Sequence, residues 1–342
     1  MVSETAQVVI TSVFSLLVMT DIVGNSLVCV VLIKNQDMRT PMNFLLVNLA
    51  LADIMVALFI APQFILIHTF KHPDGLAGTL LCKFLTGGNL MWTGATASSF
   101  SLVVIAFERY FAVMYPYGNR RKLTTGKLKL IIPVIWISSV IINMPFFLTT
   151  YFSKGDNFCM EHWPGEWTAK AYSLAWFVLL GAMPMIMMFV LYSRVIYSLW
   201  IKQEVHHQGA QQGVLRVRKR VTKMVLAVSI IYVMCWTPDL VIYALIHFSS
   251  KHNLGDAADI ISIMLVTCNS TVNPFIYAYV NPRFRNQIKA LLYCRSVDRN
   301  RIHDVRRRSL GSTTTNNIAA ASIIQREVRS IALRSQEIST SL

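Results

Sequence analysis

Apolar residues run together in long blocks along this chain instead of alternating with polar ones. Seven blocks carry few or no charges: Val8 to Ile33, Phe44 to Thr69, Phe84 to Phe107, Leu130 to Thr149, Ala171 to Tyr192, Met224 to Phe248 and Ile260 to Val280. Each suits a membrane-crossing helix, which needs about 20 residues at 1.5 Å rise to span a hydrocarbon layer about 30 Å thick. Buried helices of a soluble all-α protein would be shorter and would show a polar face. The pattern therefore predicts an all-α integral membrane protein, a seven-transmembrane-helix bundle. Three spans are interrupted: the second by Asp53, the third by Gly87-Gly88 and several polar residues, the sixth by Asp239.

Composition agrees, since 54% of the 342 residues are hydrophobic and only 14% are charged, whereas an average soluble domain is roughly a quarter charged. The net charge of +15 would suit nucleic acid, but the basic residues flank spans, where orientation and anionic membrane lipids account for them. They gather on alternate connections: Lys34 and Arg39; Arg109, Arg120, Arg121, Lys122, Lys127 and Lys129; Arg194, Lys202, Arg216, Arg218, Lys219, Arg220 and Lys223; and the tail. The positive-inside rule then places the N-terminus outside and the C-terminus in the cytoplasm. No Lys or Arg precedes Lys34, so the first span reads as a retained helix and not a cleaved signal peptide.

These runs divide the chain into a short extracellular N-terminus (1–7), the seven-helix domain (8–280), an amphipathic segment (281–294) and a cytoplasmic tail (295–342) expected to be disordered and phosphorylatable. With so short an N-terminus, any ligand must be met by the bundle and its loops. The amphipathic segment carries Phe284, Ile288, Leu291 and Leu292 on one face and basic residues on the other, as in a helix lying on the inner leaflet. The stretch from Lys202 to Val214 reads as a flexible linker. Of six cysteines, only Cys82 and Cys159 fall on the oxidising outer side, where a bridge persists. Cys29, Cys235 and Cys268 sit in apolar helix, and Cys294 ends the amphipathic segment as a palmitoylation candidate.

An ionisable group at membrane depth costs a few kcal/mol and marks a functional candidate. Asp53 is mid-span, with Asn25 and Asn273 at similar depth. For a lone Asn, polar glue between helices is an equally good account. Here the polar residues fall in a set: Gly24-Asn25; Leu49-Ala50-Leu51-Ala52-Asp53; Glu108-Arg109-Tyr110 with Ala112, Val113 and Pro116; Trp136; Pro184 and Tyr192; Cys235-Trp236-Thr237-Pro238; and Asn273-Pro274 with Tyr277. Taken in order, one group per span, they resemble the rhodopsin-class (class A) G-protein-coupled receptors over about residues 8 to 294.

That resemblance implies roles. Asp53, Ser98, Asn269 and Ser270 match the family's sodium pocket, an all-oxygen site for a hard cation, with Asn25, Asn273 and Trp236 around it. The ion is an allosteric modulator favouring the resting state, and no cofactor is required. Arg109 is held by Glu108 at rest and turns toward a heterotrimeric G protein on activation. Tyr192 and Tyr277 match two tyrosines that approach each other in the active state. Pro184, Pro238 and Pro274 permit kinks, so that the sixth helix swings outward, and Trp236, above Tyr232, matches the transmission residue at the pocket floor. A plasma-membrane location, and a receptor kinase and arrestin acting at the tail, follow from the same likeness. Two departures stand out. Arg218 is basic where some members carry an acid that locks Arg109, which predicts higher basal activity. Cys82 precedes Arg109 by 27 residues, longer than the family's usual spacing, and Gly87-Gly88 is placed to absorb the excess as a bulge.

The ligand is bounded by exclusion. Thr267 stands where a visual pigment carries its Schiff-base lysine, and no lysine lies between Lys251 and Lys289, which argues against retinal. The third-helix aspartate of amine receptors maps to Met91 counting from Arg109, or to Asn89 counting from Cys82, and neither is acidic. Acids do collect outside: Asp239 a turn above Trp236, Asp256 and Asp259 at the seventh helix, and Glu161 and Glu166 in a loop, Cys159 to Pro164, that resembles the hairpin of neuropeptide receptors. Apart from the deeper Asp239, these acids also suit plain solvated rim charges. The reading favoured is a neuropeptide with a basic side chain or amidated C-terminus, anchored by Asp239 with Gln63, Met91, Trp176, Tyr243, Asp259 and Thr267 around it. The alternatives are an amine or other small molecule, or a constitutively active receptor without a ligand. A transporter or channel would need a continuous polar pathway or paired broken helices, and an enzyme a nucleophile, base and orienter. Neither pattern is present in the sequence.

Overall fold

The computed structural model describes residues 4–35, 38–66, 69–115, 123–155, 158–201, 211–249 and 253–291. Among them, seven helices are long and apolar enough to cross a membrane. They are α1 (Glu4–Lys34), α2 (Pro41–Phe64), α3 (Gly75–Met114), α4 (Thr125–Thr149), α5 (Glu166–Trp200), α6 (Gln211–Phe248) and α7 (Ala257–Val280). A further helix, α8, covers 282–291; Cys294 and the tail lie outside the described residues. Between α4 and α5, strands β1 (Thr150–Ser153) and β2 (Phe158–Glu161) pair antiparallel, with Thr150 opposite Glu161 and Phe152 opposite Cys159.

The helices outrun the apolar blocks that predict them. α1 begins at Glu4, inside the expected extracellular N-terminus, α3 at Gly75 and α5 at Glu166, while Gln211 to Val214 of the expected linker are helical. Hydropathy registers only the lipid-facing length, whereas backbone hydrogen bonding continues beyond the hydrocarbon until a cap or break intervenes. Thr40 caps α2, accepting from the Asn43 amide at 3.3 Å, and Thr124 caps α4 by accepting from that of Lys127.

α3 is the central strut, touching α2, α4, α5 and α6, while α1 packs on α2 and α7, and α6 on α7. Large apolar side chains such as Leu16, Ile137, Ile186 and Phe189 are exposed on the outside, where lipid tails would cover them. The interior carries Asp21, Asn25, Asp53, Ser98, Asn269 and Asn273, all buried. This inside-out distribution is that of a membrane bundle, in which small and polar residues make the helix contacts. Gly24 illustrates it: a Cβ there would meet Pro274 Cγ at 2.9 Å, so α1 and α7 approach as closely as only glycine permits.

The long Cys82–Arg109 spacing resolves into a π-turn, Cys82–Thr86, followed by a break at Gly87 and Gly88. Gly88 has φ 77° and restarts the helix at Asn89. The excess length is thus taken up partly by the glycine pair and partly by the wider turn. A second π-turn, Phe177–Ala182, stands directly before Met183-Pro184. Proline supplies no amide hydrogen to the preceding turn, and that turn is the one that widens.

Candidate functional site

Three polar layers occupy the bundle. At the outer end, Cys82 and Cys159 form the expected disulfide, fastening β2 to α3. His72 stacks on Phe152 of β1 and bonds Thr86, packing the outer α2–α3 connection against the bridge. Exposed Lys154 pairs with Asp74 at 2.6 Å, a bond that raises the lysine's pKa.

Glu161 ends β2 and is not a solvated rim charge. Its side chain is 6% exposed. Glu161 Oε2 accepts from Trp163 Nε1 at 2.6 Å and from the Tyr243 hydroxyl at 3.3 Å, and lies 3.7 Å from His247 Nε2. Burial pushes the Glu161 carboxyl up to about 7, with the Trp163 and Tyr243 bonds opposing the rise. Tyr243 also stacks edge-on with His247, 4.9 Å between ring centroids, and with Trp176 at 6.4 Å. The hairpin, α5 and α6 therefore share one aromatic cluster.

Below this cluster, Asp239 is 3% exposed, accepts from the Ser262 hydroxyl at 3.3 Å through Oδ1, and leaves Oδ2 without a hydrogen-bond partner. Asp259 lies within electrostatic reach, but its Oδ2 accepts from the Gly255 amide at 2.8 Å and so organises the start of α7. The structure thus gathers Trp176, Tyr243, Asp239 and Asp259 near one another. Gln63 instead lies against Gly88, where a Cβ would meet its Oε1 at 2.6 Å. Met91 is fully buried, and Thr267 turns its hydroxyl back to the Ile263 carbonyl at 2.9 Å. Among the described residues, no hydrogen bond or ring contact joins Gln63, Met91 or Thr267 to the Asp239 group.

In the middle layer, Asp53 is fully buried and accepts from the Ser98 hydroxyl at 2.8 Å and from Asn273 Nδ2 at 2.8 Å, with Ser270 in hydrogen-bonding range. Asn25 Nδ2 donates to Asp21 Oδ1 at 2.8 Å and to the Ser270 carbonyl at 3.3 Å. Asn269 Oδ1 is buried with no donor. Side chains from α1, α2, α3 and α7 therefore offer a set of oxygen ligands, with an unpaired acceptor among them, which fits a hard cation. Asp21 belongs to none of the motifs of the resemblance. An aspartate in the midst of the first apolar block is itself the signal that could have found it.

Beside this layer, Trp236 is buried with Nε1 unpartnered, and its ring lies 5.3 Å from that of Tyr232 and 6.4 Å from that of Trp92. The Tyr232 hydroxyl bonds Ser99 of α3 at 2.7 Å and donates to the Leu180 carbonyl in the α5 π-turn. Trp136 of α4 donates to Asn48 Oδ1 at 3.0 Å, and Asn48 Nδ2 donates to Ser101 at 2.8 Å, clasping α2, α3 and α4.

At the inner end, Arg109 pairs with Glu108, both side chains largely buried. Ser229 of α6 donates to the Tyr192 hydroxyl at 3.4 Å. The Tyr277 hydroxyl is buried without a partner, and its ring meets Phe284 edge-on. The two tyrosines are both interior, and no hydrogen bond joins them.

Residues 24–277 match the family described as 7 transmembrane receptor (rhodopsin family). The chain is 28% identical over 293 residues to the pyroglutamylated RF-amide peptide receptor of Rattus norvegicus, covering 79% of this chain and 67% of that one. It is 29% identical over 308 residues to galanin receptor 2a of Danio rerio, with 87% and 82% covered. Against neuropeptide FF receptor 2 of Rattus norvegicus the figures are 28% over 300 residues, with 80% and 70% covered.

Proposed function

Because this chain belongs to the rhodopsin family of seven-transmembrane receptors, we propose that it is a plasma-membrane receptor for an extracellular peptide, signalling through a heterotrimeric G protein. Similarity to receptors whose names denote RF-amide, galanin and neuropeptide FF ligands supports the peptide class. The observation that carries the reading is Asp239: a buried acid with one oxygen unpartnered, one turn below Tyr243, whose ring meets Trp176 and His247. A buried acid with spare acceptor capacity is matched by a guanidinium, an ammonium or a terminal amide, and aromatic walls suit the flanking side chains.

Ligand arrival at Asp239 acts on Trp236 one turn below it, on the helix that carries Pro238. Outward movement of the inner half of α6 then breaks the Ser229–Tyr192 contact and frees Arg109 from Glu108 for the G protein. Asp53, Ser98, Asn269 and Ser270 would hold sodium, whose charge stabilises the packed arrangement and opposes this movement. The tail, with its serines and threonines, is the place for receptor kinase and arrestin. A panel of amidated peptides bearing Arg or Lys, read with a promiscuous G-protein reporter, tests the ligand class. Peptides that activate the parent should be at least about tenfold weaker on Asp239→Ala at matched surface density, and equal potency would remove Asp239 from the site.

A second reading, activity without ligand, is favoured by Arg218. That residue is basic, and among the described residues the ion pair of Arg109 is with its own neighbour Glu108. High basal second-messenger output abolished by Arg109→Ala, with no peptide active, would support it.

A further inference from the structure

Both sulfurs of the Cys82–Cys159 bridge meet a polar side-chain atom. His72, on the connection from α2 to α3, places Nε2 3.8 Å from Cys82 Sγ and 3.0 Å from Thr86 Oγ1, and Thr86 Oγ1 in turn lies 3.3 Å from Cys159 Sγ. The His72 ring is stacked on Phe152 of β1, with centroids 4.0 Å apart and planes within 12°, so packing fixes its aim at the sulfur. His72 Nδ1 faces the Pro73 carbonyl at 3.4 Å. A carbonyl can only accept, so the proton of the neutral ring sits on Nδ1, and Nε2 is the atom that takes up and gives back a second one. The two sulfurs differ in access: Cys82 is fully buried, whereas Cys159 is only partly covered.

We infer that this bridge is a site of thiol–disulfide exchange, opened by a small external thiol at Cys159, with His72 as the acid that meets the departing Cys82 sulfur. Exchange requires a thiolate to attack one sulfur while the other leaves, and a leaving sulfur departs faster when a neighbouring group stabilises it. Burial of Cys82 makes Cys159 Sγ the sulfur under attack. The external sulfur bonds to Cys159, the Cys82–Cys159 bond breaks, and its electron pair passes to Cys82 Sγ. That sulfur takes the Nε2 proton of His72 and ends as a thiol, and water restores the proton to the half-buried ring. The external sulfur is oxidised as Cys82 is reduced, so the external thiol is the reductant and the step balances. With Nε2 protonated, the Thr86 hydroxyl hydrogen can turn toward Cys159 Sγ and polarise the sulfur under attack. The product is a hairpin uncoupled from α3, with the Glu161–Tyr243 hydrogen bond of 3.3 Å left to tie it to α6. A His72 that served packing alone would act with the opposite sign, since its removal would uncover the bridge and speed its opening.

The test uses the full purified chain in nanodiscs, with the cysteines outside the bridge, Cys29, Cys235, Cys268 and Cys294, alkylated beforehand. Reduced glutathione is added in excess at fixed pH, samples are quenched with acid over time, and the peptides are mapped by mass. The first product should carry glutathione on Cys159 with Cys82 as the free thiol. His72→Phe, which keeps an aromatic ring to stack on Phe152, should open at least about tenfold more slowly. His72→Gln, which keeps a polar side chain but has no ring proton to give, should be slowed similarly and supplies the comparison should His72→Phe fail to fold. A bridge that glutathione does not open, a first adduct on Cys82, or an opening rate in the variants equal to or above that of the parent overturns the assignment.

Discussion

Tyr243 of α6 donates its phenolic hydroxyl to Glu161 of β2 across 3.3 Å. One hydrogen bond therefore joins the outer hairpin, itself bridged to α3 by Cys82–Cys159, to the helix proposed to move.

The junction is titratable in the physiological range. Burial raises the Glu161 carboxyl from 4.5 to about 7, so the packed state favours its neutral form. For a raised pKa, the stabilisation is complete at low pH and is lost as pH rises through the packed-state value. Ionising Glu161 at pH well above 7 should weaken hairpin closure by on the order of 3 kcal/mol. The groups facing it are Trp163, Tyr172, Tyr243, His247 and Asp259. Hydrogen exchange in residues 158–163, corrected for the intrinsic rate, should be slower at pH 6 than at pH 8. Glu161→Gln should flatten that difference, and a pH dependence retained in Glu161→Gln would remove the residue from the latch.

Breaking the disulfide tests how far the hairpin depends on covalent attachment. Cys82 and Cys159 close a separation of 77 residues, and their replacement by serine should destabilise the chain by about 2–4 kcal/mol. The unfolding midpoint should fall, and exchange should rise in both β1 and β2. Protection unchanged in both strands would mean that the Glu161 contacts hold the hairpin alone.

Gly88 should tolerate no branched side chain. Its φ of 77° is left-handed, a region that costs an L-residue roughly 1–2 kcal/mol. A Cβ would also press on Gln63. Gly88→Val should lower the unfolding midpoint more than Gly88→Asn does, and Gln63→Ala should relieve the steric part of the loss but not the backbone part. Equal midpoints for all three chains would contradict the geometry.

Asn48 serves two partners, so Asn48→Ala should orphan the Trp136 indole N–H, while Ser101 loses one donor and keeps its own bond to the Ala97 carbonyl. A loss of about 1–3 kcal/mol is expected for a buried polar group stripped of its partner. Trp136→Phe made on top of Asn48→Ala removes the stranded donor and should cost less than Trp136→Phe in the parent, where it leaves Asn48 Oδ1 without a donor; equal losses in the two backgrounds would argue that packing and not hydrogen bonding sets the clasp.

The sequence shows the spans because lipid imposes a length and a polarity on each one. It shows the middle layer because Asp53, Ser98 and Asn273 fall in motifs that the fold then brings within 2.8 Å contacts. Helix ends escape, as at Gly75 and Glu166, because backbone bonding outside the hydrocarbon follows local caps and not hydropathy. Glu161 and His247 escape for another reason. Whether a loop acid is solvated or buried depends on which aromatic residues of distant helices close over it, and Trp163 and Tyr243 are 80 residues apart in the chain. Asp21 was readable from its surroundings alone, as an acid in an apolar block, but no motif frames it.

Arg109 is the residue through which the bundle would reach the G protein. Cells carrying a promiscuous G-protein reporter should be challenged with the amidated basic peptides while expressing the parent or Arg109→Ala at matched surface density. A response in the parent reduced at least about tenfold in Arg109→Ala is the predicted result. A response of equal size in both chains would contradict the claim that this bundle transmits a ligand signal to a G protein.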